Sequence, residues 1–377
     1  MPYTGNTYTG PAGSTNAVAG QVVQSAVWNA IHSDLASALT LLMTQFTSHV
    51  YDYSNILLPN GGLNIWQRGT SNSVGAASTA YTADRWYLTT TANQASTVTA
   101  VTDLGGTGAA NHAAKIQRTA GQTGIGVMTF GYPLDSDEIT RMIGKQVSVS
   151  CTVKSGANWS PTSGTLTMTF AVGTGAPAKR GAGFTGETVV LTVATNLAVN
   201  SATTTMSGTS VATVPASATQ GELQFTWTPT GTAGVDDSIS VDSVILSTGT
   251  IIQSWTEPPF EIAVMMCKRH YRKTFPYATA PAQAVSAVSA LTHITAAAAQ
   301  FGIYWQFTSV SMRATAAITT FNTSVASANW QNITTGSSIG VTVDTANAGP
   351  KGVLIYGATA TNSGNLIYIH AVADASI

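Results

Sequence analysis

Charge is what this chain has least of: Asp, Glu, Lys and Arg make up 8% of its 377 residues, where an average soluble domain carries about 25%. The formal net charge is −1, so no basic stripe is present to meet phosphate backbones, and nucleic acid is not an expected partner. With only 2 cysteines a disulfide scaffold is excluded. Cys151 sits in QVSVSCTVK on the same alternating face as Val147, Val149 and Val153, which predicts a buried free thiol. No apolar run reaches the roughly 18 to 20 residues of a membrane span. The opening MPYTGNTYTGPAGSTNAVAG has no basic segment leading into an apolar one, so no secretory signal is expected there. The chain is expected to be made and kept in a cytoplasm, or released from one by lysis. Tandem repeats of 20 to 50 residues are missing as well, which argues against a propeller or solenoid. HExxH, GxxxxGK[ST] and CxxC are absent, and the 6 histidines fall in no recognisable motif.

Thr, Ser, Gly and Ala stand where the charges would be, and their small side chains suit turns, closely packed strands and extensive subunit contacts. The length fits two domains plus an extension. Residues 1–21, rich in Gly, Thr, Asn and Pro without periodicity, predict an extended arm that orders against a partner. Residues 22–52 carry apolar side chains at Trp28, Leu35, Leu39, Leu42 and Phe46, the spacing of a helix stripe. Such a stripe makes the seam of a short multi-chain bundle, with His32 and His49 continuing its register at the ends. A single amphipathic helix packed on its own domain is the alternative.

From residue 53 the pattern changes to short alternating runs broken by Gly, Asn, Asp and Pro, among them GKQVSVSCTVKS, GTLTMTFAV, GELQFTWTP and DSISVDSVIL. That is the pattern of antiparallel β structure, and it predicts a jelly-roll β-sandwich over 53–258. Alternation resumes in FGIYWQFTSVSMRATAAITTF, KGVLIYGA and NLIYIHAVADA, predicting a smaller β domain over 259–377. Between them EIAVMMCKRHYRKTFPY fits a helical turn and a strand equally well. The fold class is therefore mainly β, behind an N-terminal arm and helix.

No catalytic residue is assigned. Asp135, Asp137 and Glu138 in YPLDSDEIT read as a polar turn, and adjacent Asp236 and Asp237 would point to opposite faces of a strand, a poor pair for glycoside hydrolysis. No cofactor is expected, apart from a structural calcium for which Asp236, Asp237 or Asp242 would serve. For sugar binding, the candidate is Trp159 with Asn158 in the loop SGANWSPTSG, a flat ring beside an amide, the other reading of Trp159 being a merely structural role. Lys268, Arg269, His270, Arg272 and Lys273 form a basic run, of which Arg272 and Lys273 are candidates for an anionic glycan or lipopolysaccharide phosphate. The other reading of that run is ion pairing with Glu257, Glu261 or a neighbouring subunit.

Several segments then occur in one order: Asn60-Gly61, Trp66-Gln67-Arg68-Gly69, Ala83-Asp84-Arg85-Trp86, GKQVSVSCTVKSGANWS, GELQFTWTPTG, FEIAVMMCKRHYRKTF and IYIHAVADASI. This series resembles a widespread family of tailed-bacteriophage tail fibres and virion appendages, over about residues 55 to 377. The resemblance implies a carbohydrate-binding-module-like jelly roll in a virion spike or fibre, commonly a homotrimer, that attaches to host surface polysaccharide. The N-terminal arm and helix fall outside the resemblance; in a virion such an arm would be the anchor to other virion proteins, and no membrane insertion is expected. His270 departs from the family, where a second aromatic usually precedes the tyrosine. A purely architectural decoration or collar protein and a capsule depolymerase are the rival readings.

Overall fold

A computed structural model describes residues 3–4, 7–8, 32–38, 57–106, 112–277, 279–296, 300–357 and 364–377. The chain divides into two compact units, Met1–Ser54 and Asn55–Ile377. In the first, β1 (Tyr3–Thr4) pairs antiparallel with β2 (Thr7–Tyr8). Residues 32–38 form a helix, α1, all of it exposed, and Leu35 is 51% exposed. Of the expected bundle seam, Trp28, Leu39, Leu42 and Phe46 lie outside the described residues.

The second unit is mainly β. Its strands β3 (Ser71–Val74), β4 (Thr79–Tyr81), β5 (Tyr87–Thr89), β6 (Ser96–Val101), β7 (Ala113–Arg118) and β8 (Met128–Leu134) are followed by β9 (Val147–Ser155), β10 (Thr165–Gly173), β11 (Thr188–Asn196), β12 (Thr204–Thr209), β13 (Gln220–Trp227) and β14 (Ser238–Thr248). They form two six-stranded sheets, ordered β11-β10-β13-β8-β5-β4 and β12-β9-β14-β7-β6-β3. Every sheet neighbour is antiparallel and many are distant in sequence, as a jelly roll requires. Because side chains alternate across a strand, Leu166, Met168 and Phe170 of β10 meet Leu223 and Phe225 of β13 and Phe130 and Tyr132 of β8 in one core. Trp86 closes its centre, stacked on Phe130 at 4.8 Å with its Nε1–H donating to the Asn60 carbonyl. Cys151 is a free, buried thiol in this core, with its pKa pushed up by burial.

The segment that reads as helix or strand is both in turn: α3 is a helix after α2 (Ser136–Thr140), spanning Phe260–Cys267, and β15 (Tyr271–Lys273) is a strand. The remaining strands are β16 (Leu291–Ile294), β17 (Phe301–Gln306), β18 (Ala317–Phe321), β19 (Trp330–Asn332), β20 (Ser338–Ile339), β21 (Val341–Val343), β22 (Gly352–Gly357) and β23 (Leu366–Asp374). β23 is the hub, pairing with β15, β16, β18 and β19, while β17, β22 and β21 form a separate three-stranded sheet. Trp330, Ile355, Ile367 and Ile369 fill a second core.

Polar residues of the Asn60-Gly61, Trp66-Gln67-Arg68-Gly69 and Ala83-Asp84-Arg85-Trp86 segments are bonded to one another and to residues beyond the sandwich. Asn60 donates to the carbonyls of Ile65 and Asp84 and accepts from the Ile65 N–H. Gln67 donates to Asp84 and to the Tyr271 carbonyl. The Arg68 guanidinium lies 3.7 Å over the Tyr271 ring and 2.9 Å from Asp374. Arg85 pairs with Glu138 at 2.9 Å, both nearly buried. Gln67 and Arg68 thus tie the sandwich to β15 and β23.

Candidate functional site

The outward face of the β11-β10-β13-β8-β5-β4 sheet follows from the core register. With Met168, Phe170, Leu223 and Phe225 inside, Thr165, Thr167 and Thr169 of β10 and Glu222, Gln224 and Thr226 of β13 point outward, Thr167 opposite Thr226 and Thr169 opposite Gln224. At one end of this strip lies a cleft of about 400 Å³. Thr162, Ser163, Thr165, Thr167, Thr226 and Thr228 bring hydroxyls to it, and Val127, Pro161 and Trp227 its apolar surface. No charged side chain lines it.

Its wall, the loop between β9 and β10, is built rather than loose. The loop folds back at Ser163 and Gly164, both at positive φ, and Gly164 donates to the Pro161 carbonyl at 2.7 Å. The Gly164 carbonyl in turn accepts from the Leu197 N–H at 2.9 Å and from the Trp159 indole at 3.0 Å. Trp159 is therefore not the exposed sugar-stacking ring expected from its loop composition: it is 4% exposed and tilted against Trp227 at 6.0 Å. The reason is that burying an indole with its N–H satisfied is worth more than leaving it in water, and here it props the cleft wall from beneath. Asn158 is exposed, and its Oδ1 accepts the Asp236 N–H at 3.0 Å.

At the other end of the strip the face is closed. Glu222, with no exposed surface, accepts from the Arg180 N–H at 2.6 Å, from the Gln224 amide at 2.9 Å and from the Tyr87 hydroxyl. Burial raises the Glu222 pKa against the pull of those three donors. Arg180 also reaches Gln224 and Glu187, so the loop between β10 and β11 is strapped across the strands. The open part of the face is the hydroxyl-lined end.

The basic candidates are turned inward, which corrects their assignment to an anionic glycan. Arg272 is 8% exposed and donates to the carbonyls of Lys268, Thr308 and Val310. The Lys273 ammonium donates to the carbonyls of Gln67, Tyr277 and Thr279, and burial lowers its pKa to about 8. Both cations satisfy irregular backbone at the junction of the two cores, where carbonyls would otherwise lack donors. The expected ion pairs of this run are also relocated: Arg269 meets Asp135 and Asp137, while Glu257 takes Asn64 and lies 3.6 Å from His112.

The acidic residues separate in the same manner. Asp135 caps α2 in a reciprocal capping box with Glu138, so YPLDSDEIT is a helix start where a polar turn was expected; the Asp-x-x-Glu spacing is its signal in the sequence. Asp236 is bound by Lys115 at 2.7 Å, and buried Asp237 by Arg118 at 2.7 Å and the Ser160 hydroxyl. Asp242 accepts from the Leu104 N–H at 2.8 Å and the Ser243 hydroxyl. Among the described residues no three His, Cys, Asp or Glu side chains gather as a metal site. The sequence also contains a Gly-x-Ser-x-Gly string, Gly336 to Gly340, but its Ser338 lies on the two-residue β20 and accepts a hydrogen bond from Asn322. That is not the strand-to-helix elbow a nucleophilic serine needs.

No family model and no curated protein matches the chain. Among solved structures, it is similar to the enzymatically active domain of tailspike protein 4 of bacteriophage CBA120, at 12% identity and a TM-score of 0.32, over 51% of this chain and 21% of that one. It is also similar to the CBM22-1 xylan-binding domain of Xyn10C from Paenibacillus barcinonensis, at 14% identity and a TM-score of 0.31, over 52% of this chain and 97% of that one. A cyclase from Fischerella sp. TAU matches at 12% identity and a TM-score of 0.30, over 53% and 98%. The match thus spans about a fifth of the tailspike chain, and overlaps this slight assign neither family nor ligand.

Proposed function

We propose that the chain is a non-enzymatic, glycan-binding subunit of a tailed-phage virion appendage, and that the hydroxyl-lined cleft takes a neutral saccharide. The observation that carries the glycan reading is the cleft itself: hydroxyls on a rigid sheet, an apolar floor and no charge. Neutral donors and acceptors on a fixed scaffold match sugar hydroxyls, while a charged ligand would find no counter-charge there. Its volume of about 400 Å³ is that of an ordinary small-ligand site. The appendage reading is supported by the ordered series of segments from Asn60 to the C-terminal strand. In this reading the protein sits on the virion, the N-terminal unit joins copies into a trimer and meets other virion proteins, and many weak sites act together through avidity.

The test fills the cleft. Thr167→Trp places a large side chain at an outward position beside Thr226, and its binding to host surface polysaccharide is followed by isothermal titration. At least a tenfold loss, about 1.4 kcal/mol, with an unchanged melting temperature is the expected result. Equal binding by wild type and variant rejects the cleft, and no binding by either leaves the architectural reading.

A further inference from the structure

The three-stranded sheet β17-β22-β21 has one face in the second core and one face open. Phe301, Val353 and Ile355 are buried, with Ile303, Trp305, Val341 and Val343 packed beside them. By alternation the other face carries Gly302, Tyr304 and Gln306 of β17, Gly352, Leu354 and Tyr356 of β22, and Thr342 of β21. Tyr304 stands opposite Leu354, and Gly302 opposite Tyr356. Tyr304 is a large ring, 56% exposed.

The two glycines are what make this face flat. A Cβ at Gly352 would lie 2.7 Å from the Tyr304 Cζ and hydroxyl oxygen, so the ring rests on the strand where that side chain would stand. A Cβ at Gly302 would lie 3.0 Å from the Tyr356 Cβ and 3.3 Å from Leu354 Cδ1. A glycine inside a strand weakens it and often marks a close approach; here two of them let Tyr304 and Leu354 lie down against the sheet. Polar groups edge the strip. Gln306 and Thr342 are exposed. Asp344, whose N–H donates to the Leu354 carbonyl, accepts from the Asn347 side-chain amide at 2.8 Å.

We infer that this Tyr304–Leu354–Tyr356 platform is a second saccharide-binding site, in which a sugar ring lays its C–H face on the tyrosines while Gln306, Thr342 and the Asp344–Asn347 pair meet its hydroxyls. A flat aromatic surface rimmed by amide, hydroxyl and carboxylate is the chemistry of sugar recognition rather than of a protein interface. Three side chains also fall far short of the roughly 1,600 Å² a specific protein partner buries. The site does not depend on the cleft of the sandwich, which lies on a different sheet.

Native gels of the full chain containing soluble glucomannan, xylan or dextran test it. Wild type is expected to be retarded by at least one of them, and Tyr304→Ala to weaken that retardation about 3- to 10-fold, the worth of an aromatic stacking contact. Tyr304→Trp keeps a flat face and is expected to restore binding. Gly352→Ala leaves both tyrosines in place but lifts the ring, and is expected to weaken binding as well. Full retardation of Tyr304→Ala and Gly352→Ala on every polysaccharide overturns the platform, as does a tryptophan variant as weak as the alanine one. A wild type that none of the three retards overturns it too. Running Thr167→Trp alongside separates the two sites: loss there with Tyr304→Ala unaffected keeps the cleft and rejects the platform, and the reverse keeps the platform alone.

Discussion

Asp84 is a buried carboxylate, 1% exposed, lodged between Gln67, which donates to it, and Arg68 at 3.7 Å. Burial pushes its pKa up to about 6, against the opposing pull of Arg68 and Gln67. The folded protein therefore holds a proton on Asp84 at pH values where the unfolded chain, with an ordinary value of about 4, has released it. The stabilisation this proton contributes is complete below about pH 4 and is lost as pH rises through about 6. Asp84→Asn removes the titration. Urea unfolding of the two proteins at pH 4, 5 and 6 is expected to show the wild type losing stability relative to the variant as pH rises; a constant difference would mean that Asp84 stays ionised throughout. The same cluster explains why Trp66-Gln67-Arg68-Gly69 and Ala83-Asp84-Arg85-Trp86 read as a signature: each polar member has a buried partner, and a buried charge left unpaired is expensive.

Loops decide the cleft at the scale of elements. Gly164 has φ +66°, and a Cβ there would meet the Leu197 carbonyl oxygen at 1.8 Å. Gly164→Ala is expected to cost about 1 to 3 kcal/mol from backbone strain and the displaced Leu197 contact. It should also cancel saccharide binding at the cleft, because the loop carrying Thr162 and Ser163 hangs on the two bonds to the Gly164 carbonyl. Urea unfolding followed by tryptophan emission reads the first effect and titration the second. Unchanged stability would show that the loop relaxes without the sheet. The Trp159 indole belongs to the same element, holding it from the core side, where composition alone pointed it outward.

The chain is organised as two units in sequence, the 54 residues Met1–Ser54 and the 323 residues Asn55–Ile377. The larger unit contains both cores, so it has what it needs to fold when the smaller is removed. Light scattering on the full chain and on residues 55–377 is expected to show a trimer that becomes a folded monomer on truncation, with polysaccharide binding weakened by the loss of avidity. A trimer that survives truncation would place assembly in the β domains, and a monomer in both cases would reject the free-standing appendage.

The strand pattern was legible from the residues alone, because a period of two with apolar residues on one face has a single way to bury that face. The core positions of GTLTMTFAV and GELQFTWTP follow from it, as does the free thiol of Cys151. The same alternation, applied to FGIYWQ and GVLIYG, places Tyr304 and Tyr356 on the face opposite Ile303, Trp305 and Ile355. What the residues could not disclose is where loops and cations turn. Trp159, Arg272 and Lys273 look exposed in sequence because their neighbours are polar, yet each is drawn inward: Trp159 by the Gly164 carbonyl of its own loop, Arg272 by the distant carbonyls of Thr308 and Val310, and Lys273 by that of Gln67. The cleft likewise joins Val127, Pro161 and Trp227, which only the antiparallel pairing of β10, β13 and β8 brings to one place. Local alternation fixes which way a strand side chain points, whereas the satisfaction of buried carbonyls and indoles is a non-local demand that only the closed fold can meet.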